Sequence, residues 1–165
     1  MKTTLLMNFS VNKEKKQVHV EREFAGSLAK VWAAWTQKEL LDQWWAPRPW
    51  QNKTKSMDFR EGGTWLYSMV GPDGSEHFCR FDYKTVKASK SFSGLDSFCD
   101  SKGVVNTELP GGVWSNTFTQ KGDSTVVDIV IGYPSIEVLE KIIEMGFKEG
   151  FTMGLEQLDE LLLKK

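Results

Sequence analysis

The side chains that most often bind metals or act as nucleophiles are scarce in this sequence. Its 165 residues include two histidines, His19 and His77, and two cysteines, Cys79 and Cys99. His77 and Cys79 are separated by one residue, so they share one face of a strand. A zinc site usually needs three or four protein ligands, and close neighbours on a strand face rarely reach the geometry of a Cys–His nucleophile. We therefore predict no metal, no cofactor and no covalent catalysis, with a buried, reduced thiol at Cys79 and surface imidazoles.

Paired carboxylates for acid–base catalysis are not indicated either. No spacing in the sequence brings together any two of the candidate acids, so each is interpreted as a surface charge: Asp58, Glu61, Asp82 and Glu149. The segment Gly-Pro-Asp-Gly at 71–74 lacks the Lys-Ser/Thr pair of a phosphate-binding loop and is typical of a hairpin turn. An enzymatic function is left open but is not favoured.

Aromatic residues are the strongest candidates for a functional site, with 7 Trp, 10 Phe and 3 Tyr in the chain. Each buried ring hides roughly 150–250 Å² from water, which indicates a large core, an aromatic-lined cavity, or both. For any single ring, simple core packing remains the alternative. A cavity would be lined by aromatic residues of inward strand faces and helices, by glycines of the last helix and by two polar residues. The candidate lining residues are Trp45, Trp65, Tyr67, Arg80, Trp114, Asn116, Phe118, Phe147, Gly150, Phe151 and Gly154.

Charge and length limit the remaining function classes. The 21 basic and 22 acidic side chains give a net charge of −1, which offers no basic excess for the phosphates of nucleic acids. The sequence has no apolar run long enough for a signal peptide or for a transmembrane helix of about 20 residues, and two cysteines cannot form a disulfide framework. We expect a cytoplasmic protein with no membrane partner and a single domain over residues 1–165, while the oligomeric state stays open.

Two strands are predicted at the start of the chain. The segment 3–11 reads as a strand, and residues 17–25 alternate with Val18, Val20 and Phe24 on one face. A period of two with one polar face is typical of a half-buried strand. The two strands are expected to form a hairpin.

Two short helices are predicted next. Ser27 is a candidate N-cap for the first helix, because its hydroxyl can accept from a free backbone N–H. Thr36 and Glu39 have the spacing of a capping box for the second helix. Pro47 prevents that helix from continuing.

A run of strands is predicted between residues 53 and 133, followed by one long helix that begins after Ser135. Leu139, Ile143 and Phe147 begin an apolar stripe of about 28 residues, which would form a helix on the order of 40 Å long. Strands grouped together, with helices kept apart from them, indicate the α+β class. A strongly bent antiparallel sheet around the last helix would bury this stripe.

Three glycines stand four residues apart in the predicted last helix, at Gly146, Gly150 and Gly154. Each glycine costs a helix interior about 1 kcal/mol relative to alanine, so a compensating gain is expected. The glycines either let the helix approach its neighbour closely or leave space for a ligand. We expect close packing at Gly146 and cavity space at Gly150 and Gly154.

The order of these motifs resembles a known superfamily. The helix pair at 31–36 and 40–47, the segment Met-Asp-Phe-Arg-Glu-Gly-Gly-Thr-Trp at 57–65, the turn at 71–74 and the glycine-bearing helix at 145–158 carry the resemblance. Together they are similar to the START-like superfamily of helix-grip proteins, the SRPBCC group. Within that group they most resemble the branch named after the activator of the heat-shock protein 90 ATPase, over roughly residues 18–163.

The resemblance implies a helix-grip fold with a hydrophobic cavity between the sheet and the last helix. Members bind lipids, polyketides or hormones, some catalyse cyclisation, and some assist the chaperone. The favoured hypothesis is non-catalytic binding of a small apolar molecule. The alternatives are an interaction module that contacts a chaperone or another protein, and, less favoured, a cyclase- or hydrolase-like enzyme.

Overall fold

The computed structural model describes residues 5–108 and 111–163, and its eight strands form one antiparallel sheet. The spatial order of the strands is β1-β2-β8-β7-β6-β5-β4-β3. In chain order the strands are β1 Met7–Asn12, β2 Gln17–Phe24, β3 Gln51–Met57, β4 Thr64–Val70, β5 Glu76–Lys87, β6 Ser91–Cys99, β7 Gly112–Lys121 and β8 Ser124–Gly132. This curved sheet, with helices segregated from the strands, is the predicted α+β helix-grip architecture.

The first hairpin is confirmed. β1 pairs with β2 in an antiparallel register in which Met7 lies opposite Arg22. Val18, Val20 and Phe24 are fully buried, as their alternation predicts. Residues 3 and 4 of the predicted first strand lie outside the described residues.

Two short helices, α1 Leu28–Thr36 and α2 Lys38–Trp44, follow the hairpin. Ser27 caps α1 as predicted, because its hydroxyl accepts from the backbone N–H of Lys30 at 3.3 Å. The predicted capping box at Thr36 and Glu39 is wrong. Thr36 is still helical, and its hydroxyl donates to the carbonyl oxygen of Trp32 at 2.8 Å. Gln37 alone separates the two helices and is the N-cap of α2, without a side-chain capping bond.

The C-terminal segment consists of two helices, α3 Ile136–Glu144 and α4 Phe147–Leu163, where the apolar stripe predicts one. Gly146 lies at φ +90°, a left-handed conformation that glycine adopts without a steric penalty. Its N–H donates to the carbonyl oxygen of Ile143 at 3.0 Å, so it ends α3 in the manner of a glycine cap. The periodicity of apolar residues continues across this break, which is why the sequence pattern does not reveal it.

The core lies between the inner face of the sheet and the helices. Leu155 and Leu158 of α4 are fully buried, and so are Ile129 and Ile131 of β8. Arg22, on the inner face of β2, is only 7% exposed and forms an ion pair with Asp159 of α4. In the described part of the chain, we find no helix with the length and apolar character needed to cross a membrane.

Candidate functional site

A cavity of about 240 Å³ lies between the inner face of the sheet and the beginning of α4, and it opens to the protein surface. Its wall is mainly apolar, as is usual for sites that bind small molecules. The lining residues are Trp45, Pro47, Tyr67, Met69, Cys79, Asp96, Phe98, Ile142, Met145, Gly146, Phe147, Gly150 and Phe151.

The sheet side of the cavity is built from neighbouring strands. Because side chains alternate along a strand, Tyr67 and Met69 of β4 point to the same face. Cys79 of β5 pairs with Tyr67, and Asp96 and Phe98 extend the same surface onto β6. The result is a wall of aromatic and sulfur-containing side chains with one carboxyl group.

The helix side is formed by one face of the first turns of α4. Phe147 and Phe151 are one helical turn apart, and their rings stack with centroids 5.3 Å apart. Gly150 lines the cavity beside them, and a Cβ at this position would make an ordinary contact with Cγ of Pro47 at 3.6 Å. The ring of Trp45 completes the wall, with its centroid 6.0 Å from that of Phe151.

Gln157 and Gly154 fix the backbone around Trp45. The buried Gln157 amide donates to the carbonyl oxygens of Trp44 at 3.1 Å and Ala46 at 2.8 Å. The same side chain accepts from the N–H of Arg48 at 2.8 Å. Gly154 lies against the end of α2, where a Cβ would be 3.3 Å from the carbonyl oxygen of Trp44. These contacts join α4 to the segment that carries Trp45 and so position its ring.

Asp96 and Tyr67 form the polar part of the cavity wall. The Tyr67 hydroxyl donates to Asp96 Oδ1 at 3.3 Å, a long hydrogen bond. Burial raises the pKa of Asp96 to about 7, although the Tyr67 hydroxyl opposes this shift. Burial and then the Asp96 charge raise the pKa of Tyr67. The pair can accept a hydrogen bond from a ligand, and Asp96 can exchange a proton near neutral pH.

A second, smaller void lies deeper in the core, and Trp45 lines both spaces. Its volume is about 10 Å³, which is close to the room that one water molecule needs. Asn116 lines this void and is 1% exposed. Neither its amide nitrogen nor its amide oxygen has a hydrogen-bond partner among the described residues.

The structure divides the candidate residues between these two spaces. Around the cavity at the start of α4 it brings together Trp45, Tyr67, Phe147, Gly150 and Phe151. Around the inner void it places Trp45, Trp65, Trp114 and Asn116. Phe118 lies elsewhere in the core, where its ring packs against Phe92 at a centroid distance of 6.0 Å and against Trp32 at 5.0 Å.

Arg80 does not line the cavity, which corrects the expectation from the sequence. Its neighbours Cys79 and Phe81 face inward, so strand alternation turns Arg80 to the outer face. There it forms an ion pair with Asp82 at 2.6 Å and donates to the carbonyl oxygen of Gly103 at 2.7 Å.

Two of the glycine expectations are also wrong. Gly154 packs closely against the end of α2 instead of opening the cavity. Gly146 does line the cavity, but the nearest atom to a Cβ there would be Glu149 Oε2 at 3.9 Å, so close packing does not explain it. The positive φ of Gly146 explains why this position is a glycine.

Asp96 is the acidic wall residue that sequence reasoning missed. The site candidates also left out other lining residues, which are Pro47, Met69, Cys79, Phe98, Ile142, Met145 and Gly146. Asp96 lies on β6 in step with Phe92, Gly94 and Phe98, the inward positions of that strand. An acidic residue in phase with inward apolar positions is the signal that could have found it. Assigning the faces of β6 from its own alternation was the missing step.

The histidine and Cys79 side chains have the exposure that the sequence predicts. The Cys79 thiol is buried and free, and burial raises its pKa. His77 is exposed, and His19 is half exposed with its Nε2 2.6 Å from Asp128 Oδ1. Within residues 5–108 and 111–163, no three His, Cys, Asp or Glu side chains come close enough to hold a metal ion.

The sheet, the short helices after the first hairpin and the C-terminal helix over a cavity define a helix-grip protein. Comparison with known families identifies the particular family, because residues 25–163 match the model of the Activator of Hsp90 ATPase homolog 1-like protein family. The chain therefore belongs to this family.

Solved structures share the fold of this chain. A crystal structure from Mycobacterium smegmatis has a TM-score of 0.89 and 28% identity, and the match covers 98% of this chain and 99% of that one. A solution structure from Arthrobacter aurescens also has a TM-score of 0.89 and 28% identity, with coverage of 94% and 90%. A Silicibacter pomeroyi protein named AHSA1 shares the fold, with a TM-score of 0.70, 20% identity and coverage of 88% and 96%. No curated protein matches the chain at a significant level.

Proposed function

We propose that this protein binds a small apolar molecule, without catalysis, in the cavity between the sheet and α4. The observation that carries the proposal is the wall itself. Rings from α4 and from the segment after α2 face sulfur and aromatic groups of the sheet across a cavity of about 240 Å³. Such a space, apolar with a few polar groups, is typical of small-molecule sites. The family resemblance, which implies hydrophobic ligands, supports the same function.

Calorimetric titration with naphthylethanol, a neutral aromatic probe, tests this function. We expect saturable binding at one site. Gly150→Leu should abolish the binding, because the new side chain fills the space beside Phe147 and Phe151, while leucine favours the helix more than glycine does. Met153→Leu is the matched control, since Met153 lies on the same helix but is 42% exposed and outside the cavity wall. Binding that is absent, or unchanged by Gly150→Leu, would refute the proposal.

A second candidate function is contact with a chaperone, and an exposed apolar patch on the outer face of the sheet favours it. Leu95 is 41% exposed, Val105 39% and Val113 48%, and all three line one surface hollow. Contiguous exposed apolar surface often marks a protein-binding site. If no probe binds in the cavity but the protein stimulates the ATPase rate of purified heat-shock protein 90, this second function replaces the first.

A further inference from the structure

Asp96 is the one residue of the described cavity wall that can become negatively charged near neutral pH. The other titratable wall residues are Tyr67 and Cys79, and the pKa of each is raised by burial and by the charge of Asp96. The described lining contains no lysine, arginine or histidine. A charge in an apolar space is costly unless a partner compensates it.

Among the described residues, the groups that face Asp96 from the surrounding elements do not supply that partner. Tyr67 of β4 gives a single hydrogen bond of 3.3 Å, and Cys79 of β5 is a weak donor. Tyr133, just after β8, has its pKa raised by burial and by the Asp96 charge. α3, α4 and the turn between them present to the cavity only apolar residues and glycines, such as Ile142, Phe147 and Gly150. A carboxylate can accept about four hydrogen bonds, so most of this capacity is left to a ligand.

We propose that the ligand of this cavity is an apolar molecule with a protonated amine, which Asp96 holds by a charge-assisted hydrogen bond. This inference rests on the proposed function and names the class of ligand. The apolar body would lie against Trp45, Phe147 and Phe151, whose ring faces also attract a nearby cation. An anionic ligand such as a fatty acid would meet the like charge of Asp96 and is disfavoured.

The proposal has a definite pH dependence. The pKa of Asp96 is about 7 in the free protein, so the carboxylate forms above that pH and is lost below it. A primary alkyl amine stays protonated up to about pH 10. The preference for an amine over a neutral ligand should therefore be full near pH 8 and should fade as the pH drops towards 5.

Calorimetric titration with three ligands that share one apolar body tests the class of ligand. At pH 8, naphthylethylamine should bind about tenfold more tightly than naphthylethanol, and naphthylacetate should bind most weakly. Asp96→Asn should bring the amine and the alcohol within about twofold of each other. Tyr67→Phe should keep the amine preference but move its pH midpoint upward, because the Tyr67 hydroxyl lowers the pKa of Asp96.

Glu149→Gln is the matched control, since it removes one negative charge from an exposed neighbour of Gly150 that does not line the cavity. It should leave the amine preference intact. The inference is overturned if naphthylethanol binds but the amine binds no better, or if Asp96→Asn and Glu149→Gln have equal effects. Failure of all three ligands to bind would instead overturn the proposed function itself.

Discussion

Alanine at Gly154 should destabilise the protein, although alanine is the better helix former. Gly154 is buried in α4, and an added Cβ would be 3.3 Å from the carbonyl oxygen of Trp44 and 3.5 Å from that of Trp45. The Trp44 oxygen also accepts from Gln157, whose amide binds Ala46 and Arg48 as well. Because the carbonyl groups are held on both sides of Trp45, the end of α2 cannot move away without breaking these bonds.

The expected magnitude follows from two opposing effects. Replacing a helix-interior glycine by alanine gains up to about 1 kcal/mol, whereas overpacking a fixed contact costs about 1–3 kcal/mol. Gly154→Ala should therefore lower the free energy of unfolding by about 1 kcal/mol. Gly150→Ala is the matched control, because its Cβ would be 3.6 Å from Pro47 Cγ, an ordinary contact. That variant should gain up to about 1 kcal/mol from helix propensity.

Urea unfolding of the two variants measures the difference, which should be about 2 kcal/mol if the slope of unfolding free energy against urea is unchanged. The reasoning fails if Gly154→Ala is as stable as Gly150→Ala. It also fails if Gly154→Ala is destabilised equally in a Gln157→Ala background, where the end of α2 is free to move. In that background the cost of the added methyl should shrink.

Three further predictions concern other parts of the fold. Because burial raises the pKa of Asp96 to about 7, above about 3.9 in an unfolded chain, the native state retains a proton that the unfolded chain releases. The unfolding free energy should therefore fall as pH rises from about 4 to 7, and Asp96→Asn should reduce this fall in urea midpoints measured at pH 5 and pH 8. Asp159→Ala leaves the buried Arg22 guanidinium without its ion-pair partner, so it should lower the free energy of unfolding in urea by about 1–3 kcal/mol. Glu160→Ala breaks the exposed pair with Arg48 and should lower that free energy by less than about 1 kcal/mol. Gly146→Ala should lower the thermal midpoint through about 1–2 kcal/mol of strain at φ +90°, and an unchanged midpoint would contradict the glycine cap.

Strand alternation was the most reliable guide to the fold. It placed Val18, Val20 and Phe24 on the buried face of β2, and these residues are fully buried. The hydroxyl of Ser27 caps α1 because the residue lies at a helix start, where a short polar side chain reaches a free N–H. The same reasoning failed at Thr36, since nothing local distinguishes an N-cap from the last residue of a preceding helix.

The cavity was harder to predict, because its wall combines residues from separate strands and helices. Arg80 could have been assigned to the outer face from the alternation of Cys79, Phe81 and Tyr83, which are all buried. Asp96 could likewise have been assigned to the inner face from the alternation of side chains along β6. Gly154 could not have been assigned, because its close contact is with the backbone of α2, and no sequence period reports how near two helices lie.

The break at Gly146 connects the fold to the composition of the cavity. Ile142 of α3 and Phe151 of α4 both line the cavity. In one continuous helix these two residues would be about two and a half turns apart and would face opposite sides. The left-handed conformation of Gly146 redirects the chain, so the end of α3 and the start of α4 can contribute to the same wall. A residue with a side chain would have to bear strain to keep this redirection. The glycine is therefore a condition for the cavity as well as for the end of α3.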